Sequence, residues 1–111
     1  MQDPTISVII PTLNSEKYLE EALGSILRQS FTDFEILVID GNSTDGTLDI
    51  LQKAEDERIS VLQAPGKGLA NALNFGLVHA RGTYIARMDA DDIADAYRFE
   101  KQVSYLEKHP D

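Results

Sequence analysis

Three aspartates, Asp89, Asp91 and Asp92, lie within a run of four residues whose remaining member is the small Ala90. Carboxylates this close repel one another, and each raises the pKa of its neighbours where they are partly buried together. A divalent cation removes that cost, and Mg²⁺ or Mn²⁺ suits oxygen ligands from carboxylates and phosphates. The run therefore predicts a metal site at a phosphate-bearing substrate, although a solvated acidic turn would use the same residues.

Three other segments carry groups suited to such a substrate. Pro11-Thr12-Leu13-Asn14 follows one apolar run, and Asp40 ends another, where its carboxylate can accept hydrogen bonds from a ribose hydroxyl or a base N–H. Lys67 stands between Gly66 and Gly68, where a helix is expected to begin, and can reach a phosphate that backbone N–H groups also meet. The alternatives are ordinary turn chemistry after Asp40 and a plainly exposed Lys67.

These segments need a scaffold that brings them together, and the hydrophobic pattern predicts one. Short apolar runs predict strands at residues 6–10, 34–39, 59–62 and 83–88, with the first ended by Pro11. Apolar residues at helical spacing predict four helices, with stripes at residues 19–27, 48–54, 69–80 and 99–106. The expected helix N-caps are Asn14 or Ser15, then Ser43 or Thr44, and finally Asp95.

Strands that alternate with helices of this length indicate βαβ crossovers and a mostly parallel sheet covered on both faces. The predicted fold is therefore a doubly wound, Rossmann-like α/β fold. Ligands bind such sheets outside the carboxyl ends of the strands. The candidate residues all fall at those ends, so the sequence predicts one working edge of the sheet.

The composition restricts the classes of partner. A chain of 111 residues with 42% hydrophobic and 26% charged residues fits one ordinary globular domain, residues 1–111. Its net charge of −9 argues against nucleic acid and an anionic membrane surface, which are bound through surplus lysine and arginine. There is no cysteine, no secretory signal at the start and no membrane-length apolar run, so the cytoplasm is the expected compartment.

Four segments in chain order resemble family 2 glycosyltransferases, which have the GT-A fold. They are residues 7–14 (SVIIPTLN), 39–47 (IDGNSTDGT), 72–74 (ALN) and 89–92 (DADD). The resemblance covers nearly all of the chain. It implies an inverting transfer of a sugar from a nucleotide donor, usually a UDP-sugar.

The resemblance also implies a role for each candidate. Residues 11–14 would contact the nucleoside, with Asp40 on the base, and Lys67 would lie near the uridine or the phosphates. Asp89 and Asp91 would form the Asp-x-Asp pair at the ribose and the metal, with Asp91 the more direct metal ligand. The metal, Mn²⁺ or Mg²⁺, would stabilise the charge that grows on the UDP leaving group.

No general base can be assigned in this chain. Enzymes of this family take that base, an Asp or Glu, from a region well after the Asp-x-Asp pair, whereas only 19 residues follow Asp92 and they predict one helix. We therefore expect a chain truncated at its carboxyl end that binds donor without transferring sugar. A saccharide or lipid-linked acceptor would bind through the missing portion, with the parent protein at the inner face of the membrane.

Two other classes of function fit parts of the sequence. One is a nucleotide-sugar-binding module without catalysis of its own. The other is a nicotinamide-dependent oxidoreductase, suggested by the turn Gly66-Lys67-Gly68 after a strand. That dinucleotide-binding pattern is incomplete, because Asn71 stands where the third glycine belongs, and it leaves the three clustered aspartates unexplained.

Overall fold

Strands and helices alternate along the chain, as the sequence predicts. The computed structural model describes residues 3–108; Met1, Gln2 and residues 109–111 lie outside the described range. The strands are β1 (Ile6–Thr12), β2 (Phe34–Asp40), β3 (Ile59–Gln63) and β4 (Tyr84–Arg87). The helices are α1 (Glu16–Leu27), α2 (Thr47–Lys53), α3 (Leu69–His79) and α4 (Arg98–Lys108).

The four strands form one parallel sheet in the order β3-β2-β1-β4. Ile6 at the start of β1 pairs with Phe34 on one side and Tyr84 on the other. The chain moves outward from β1 through β2 to β3 and then returns to the far side of β1 as β4. The strand order therefore reverses between β1 and β4, which opens a crevice at their carboxyl ends. The predicted α/β fold is confirmed.

Helices cover both faces of the sheet. Successive strand residues point to opposite sides, so each apolar strand has side chains to bury on both faces. Val8 and Ile10 of β1 belong to a cluster with side chains of α1, α2 and α4, whereas Ile9 packs in a second cluster with side chains of α3. Phe99 of α4 is fully buried, and its ring meets Phe34 edge to face at a centroid distance of 5.4 Å. Burial of each such side chain contributes roughly 1.5–3 kcal/mol.

A buried carboxylate joins β1, β2 and the loop before β4 at the amino ends of the strands. Glu35 accepts hydrogen bonds from the Ser7 hydroxyl and from the backbone and side-chain N–H groups of Arg81. The Gly82 N–H donates to Ser7 Oγ at 2.7 Å. Burial raises the pKa of Glu35, but these hydrogen bonds and the Arg81 charge outweigh it and hold the pKa below its ordinary value.

The first strand is longer than the sequence predicts. The expected strand, residues 6–10, ends at Pro11, whereas β1 includes Pro11. β1 continues to Thr12, and Pro11 and Thr12 lie beside Ile39 and Asp40 of β2. On its other side β1 pairs with β4 only as far as Ile9, so Pro11 lies beyond that ladder. A proline lacks the N–H that a ladder needs and is tolerated where no strand requires it.

The expected N-cap of the second helix is also wrong. α2 begins at Thr47, several residues after Ser43 and Thr44. Both side chains form contacts elsewhere: the Ser43 hydroxyl donates to Asp40, and Thr44 meets the β1–α1 turn. Asp45 instead accepts the Thr47 N–H at 2.9 Å and so supports the start of the helix.

α1 begins directly after Ser15, as the sequence predicts, whereas α4 begins at Arg98, three residues after its expected N-cap, Asp95. Ser15 immediately precedes α1, yet its hydroxyl makes no capping hydrogen bond. Asp95 does not cap α4, because its carboxylate accepts the Tyr97 N–H one residue before the helix. An N–H group in the first turn of α4 finds its acceptor just after α1, where Gln29 Oε1 accepts the Phe99 N–H at 3.0 Å. No helix among residues 3–108 is both long and apolar enough to cross a membrane.

We predict that Glu35→Gln lowers the free energy of unfolding by about 1–2 kcal/mol at pH 7. Because the folded-state pKa of Glu35 lies below its ordinary value, the carboxylate contributes stability above the ordinary pKa of about 4.3. That contribution disappears as the pH falls through the folded-state pKa, so the difference between wild type and variant should shrink in acid. Urea titrations from pH 7 to pH 3 measure it, with the exposed Glu57→Gln as control. A difference independent of pH would contradict the assignment.

Candidate functional site

The carboxyl ends of the strands enclose a cavity of about 870 Å³. It lies at the crevice between β1 and β4, bounded on the other sides by the loop after β2 and the first turn of α3. The structure brings together there every site residue that the sequence predicts. These are Pro11, Thr12, Leu13, Asn14, Asp40, Lys67, Asp89 and Asp91.

The turn after β1 and the loop after β2 are fastened to each other. The Asn14 N–H donates to Ser43 Oγ at 2.9 Å, while Asn14 Oδ1 accepts the N–H groups of Thr44 and Asp45 at 2.8 and 3.3 Å. Asn14 has a positive φ of 50°, which asparagine tolerates better than most residues. Residues 11–14, the candidates for nucleoside contact, therefore form with the loop after β2 one wall of the cavity, which hydrogen bonds hold in place without a ligand.

Asp40 lies in that wall with no exposed surface. Its carboxylate accepts hydrogen bonds from Thr12 Oγ1, Ser43 Oγ, the Ser43 N–H and Gln63 Nε2 at 2.7, 2.6, 2.9 and 3.3 Å. Burial raises the pKa of Asp40, but the hydrogen bonds from Ser43, Thr12 and Gln63 prevail and hold the pKa below its ordinary value. Asp40 is thus an ionised carboxylate that the protein satisfies internally.

The loop before α3 forms the opposite wall. Gly66 and Gly68 have φ angles of +86° and +97°, which place exposed Lys67 between two residues in a backbone region that favours glycine. Asn71 closes the loop by donating its Nδ2 to the Pro65 carbonyl at 2.5 Å. The residue that breaks the dinucleotide pattern therefore has a structural function of its own.

The acidic run forms the end of the cavity beside β4. Carboxylate oxygens of Asp89, Asp91 and Asp92 lie within 4.8 Å of one another, and all three residues are exposed. Asp92 accepts the Asp89 N–H at 3.2 Å, so it also shapes the turn, and it does not line the cavity. Arg87 approaches Asp89 at 3.4 Å, but both side chains are about half exposed, so this pair adds little stability. Asp89 and Asp91 keep oxygens available for a cation.

Among the cavity residues that sequence reasoning missed are Lys17 and Tyr18, in the first turn of α1. Within residues 3–108 neither Lys17 nor Lys67 forms an ion pair, although acidic residues outnumber basic ones in the chain. The Lys17 ammonium lies 5.2 Å from the centre of the Tyr18 ring. The available signal was positional: α1 follows β1 directly, so its first turn must stand at the working edge.

A doubly wound sheet with a cavity at its switch point is the arrangement in which α/β proteins bind nucleotides. Residues 7–111 match the family model described as glycosyl transferase family 2, and the chain belongs to this family. A similar relative is EpsE of Bacillus subtilis (strain 168), assigned to the glycosyltransferases and 46% identical over 110 residues. That match covers 96% of this chain and 40% of EpsE, so the chain spans less than half of this relative.

Solved glycosyltransferases have the same fold. The Staphylococcus aureus TarS structure in complex with UDP matches with a TM-score of 0.87 and 33% identity, over 98% of this chain and 33% of that one. The mannosyltransferase PcManGT of Pyrobaculum calidifontis, in complex with GDP-Man and Mn²⁺, matches with a TM-score of 0.84 and 31% identity, over 96% and 33%. The fold is therefore the GT-A fold, and the oxidoreductase alternative is discarded.

We predict that Gly68→Ala destabilises the protein by about 1–3 kcal/mol, because a φ of +97° with a ψ of 158° is a conformation that essentially only glycine adopts. No heavy atom lies within 4 Å of the position of the added Cβ, so the loss would report backbone strain and not a clash. Gly41→Ala is the control, because its Cβ would make ordinary contacts, the nearest at 3.5 Å. Urea denaturation measures both, and equal stabilities would contradict the prediction.

Proposed function

We propose that the cavity binds the nucleotide diphosphate of a sugar donor, a UDP-sugar, together with Mn²⁺ or Mg²⁺. The chain would be the donor-binding portion of an inverting, metal-dependent glycosyltransferase. The observation that carries the proposal is that one cavity has apolar and backbone groups on its lining together with Asp89 and Asp91. The UDP bound by TarS and the GDP-Man and Mn²⁺ bound by PcManGT support it.

The charges around the cavity suit a diphosphate. The chain carries a net charge of −9, yet Lys17 and Lys67 both line this cavity without an ion pair among the described residues. The amino terminus of α3 also borders it through Leu69 and Asn71, and helix N–H groups favour anions there. The two lysines and the helix terminus favour the negative charge of a diphosphate. The two carboxylates beside them favour the metal that such a ligand brings.

Asp89 and Asp91 fit a divalent cation. Their exposed oxygens are hard ligands within the spacing that one ion can bridge, and phosphate oxygens would complete its coordination. Bound there, the cation would act as a Lewis acid toward the charge on the departing nucleotide diphosphate. The carboxylates hold and orient it, and Lys67 supplies further positive charge on the other side of the cavity.

The nucleoside would lie at the opposite end, against residues 11–14. Leu13 and Tyr18 line the cavity and are about half exposed or more, at 62% and 49%. Covering apolar and aromatic surface of this kind with a flat base and a ribose is favourable, because it removes that surface from water. The same end has the wall formed by Asn14 and the loop after β2.

Sugar transfer requires a general base within reach of the acceptor hydroxyl. The acidic residues that line the cavity are Asp40, Asp89 and Asp91 among residues 3–108. Asp40 is buried and Asp89 and Asp91 are assigned to the cation, so we propose that this chain binds donor without transferring its sugar. A saccharide or lipid-linked acceptor would be bound by other parts of a longer protein.

We predict that UDP binding depends on Mn²⁺ and that Asp91→Asn weakens it about 10- to 100-fold, since loss of a metal-site group typically costs that much. Isothermal titration with UDP, in Mn²⁺ and in excess chelator, measures the effect. Asp95→Asn removes the same charge four residues away, outside the cavity, and should bind like wild type. UDP binding by Asp91→Asn at wild-type affinity would exclude the metal assignment.

We also predict that Lys67→Ala and Lys17→Ala each raise the Kd for UDP roughly threefold to tenfold while leaving uridine binding almost unchanged. The lost interaction is with phosphate oxygens, which uridine lacks. Lys53→Ala in α2 is the matched control, because Lys53 does not line the cavity. Equal losses for UDP and uridine would show that the lysines act on the nucleoside or on the fold.

A further inference from the structure

We propose that Asp40 is a positioning residue: it fixes the two loops that form the nucleoside end of the cavity and does not itself contact the base. The inference rests on the proposed nucleotide function, and it replaces the direct contact that the family resemblance implies for this residue. It assigns base recognition to the groups that Asp40 holds in place.

The Asp40 carboxylate has no acceptor position left for a ligand. A carboxylate offers about four lone-pair sites. Thr12, Ser43 and Gln63 fill them with four hydrogen bonds, two on each oxygen, at 2.6–3.3 Å. The residue is 0% exposed. A base N–H could reach Asp40 only by displacing one of these donors, and the Thr12 hydroxyl among them is itself buried and would lose its acceptor.

The hydrogen bonds from Asp40 continue into both loops. Ser43 donates its hydroxyl to Asp40 and accepts the Asn14 N–H at 2.9 Å on the same oxygen. Asn14 in turn accepts the N–H groups of Thr44 and Asp45. The backbone adds a further link, because the Gly41 N–H donates to the Thr12 carbonyl at 2.9 Å. One buried charge thus fixes the turn after β1 and the loop after β2 relative to each other.

The groups left to meet the base are those that line the cavity beside Asp40. Leu13, Gly41 and Asn42 are exposed there, and Asn42 has a positive φ of 66°. Gly41 has no side chain between its backbone and the cavity. We assign the recognition of the base edge to the Gly41–Asn42 segment, with Leu13 against the face of the ring.

Nucleobase preference separates positioning from direct contact. Uracil offers an N–H donor at N3, whereas cytosine has an acceptor there. If Asp40 accepted the uracil N3–H, Asp40→Asn would selectively weaken UDP and shift the ratio of the Kd values for UDP and CDP. If Asp40 only positions the loops, Asp40→Asn weakens UDP and CDP by the same factor, about tenfold, and the ratio stays at its wild-type value.

Variants of the donors give the second arm of the experiment. Thr12→Val removes one hydroxyl that Asp40 needs while keeping the side-chain shape, and Thr12→Ser retains the hydroxyl. Positioning predicts weaker UDP binding for Thr12→Val at a temperature where the variant is fully folded, and recovery in Thr12→Ser. It also predicts that Asp40→Asn and Thr12→Val together weaken binding less than the product of their separate effects. Wild-type affinity in Thr12→Val, or strictly multiplicative effects, would overturn the proposal.

Hydrogen exchange keeps the test independent of the proposed function. The Asn14, Ser43 and Thr44 amides should lose protection in ligand-free Asp40→Asn and in Thr12→Val, while amides of α4 keep theirs. If wild type binds no UDP, the proposed function fails, yet this exchange pattern still decides whether Asp40 fixes the loops. Unchanged exchange at Asn14 would overturn the positioning role even if UDP binds.

Discussion

The parallel pairing of β1 on both sides is the constraint on which the rest of the structure depends. β1 pairs with β2 over its whole length and with β4 over its first four residues, so three strands end at one edge. Parallel strands need crossover helices, and these cover both faces of the sheet. The β1–α1–β2 and β3–α3–β4 connections cross the sheet in opposite directions, so α1 and α3 lie on opposite faces beside the same crevice. Every cavity-lining group comes from a strand end, an adjoining loop or a first helical turn.

The carboxylates of this chain are of two kinds, those that are buried and hydrogen-bonded and those that are exposed with free oxygens. The second kind indicates where a ligand can bind. Glu35 and Asp40 are buried, and neighbouring donors satisfy each of them and hold its pKa below its ordinary value. Asp89 and Asp91 are exposed and retain free oxygens close together. The first arrangement stabilises the ends of the sheet, whereas the second costs repulsion until a cation arrives. Burial and hydrogen bonding, more than residue type, therefore decide which acids are available to a ligand.

The sequence was a good guide to the elements and to the edge where the site lies. The strands are nearly continuous apolar runs and the helices have clear apolar stripes, so local pattern and global fold agree. It failed where tertiary contacts decide the outcome: Ser43 and Thr44 look like helix caps, but Asp40 and Asn14 engage them first. The saturation of Asp40 depends on Thr12, Ser43 and Gln63, which come from three separate segments, and no local pattern contains that information.

The two ends of the cavity differ in how complete they are before a ligand binds. The nucleoside end is held by hydrogen bonds between the loops, so a base would meet a surface that is already ordered. At the other end, the exposed Arg87 meets Asp89 at 3.4 Å but leaves most of the negative charge of Asp89 and Asp91 uncompensated, and a diphosphate alone would meet their repulsion. A cation alone would find few ligands there. For the proposed donor, the cation therefore supplies the positive charge and the diphosphate supplies the missing ligands. Because coupling between two ligands is reciprocal, the nucleotide must strengthen metal binding by the same factor as the metal strengthens nucleotide binding.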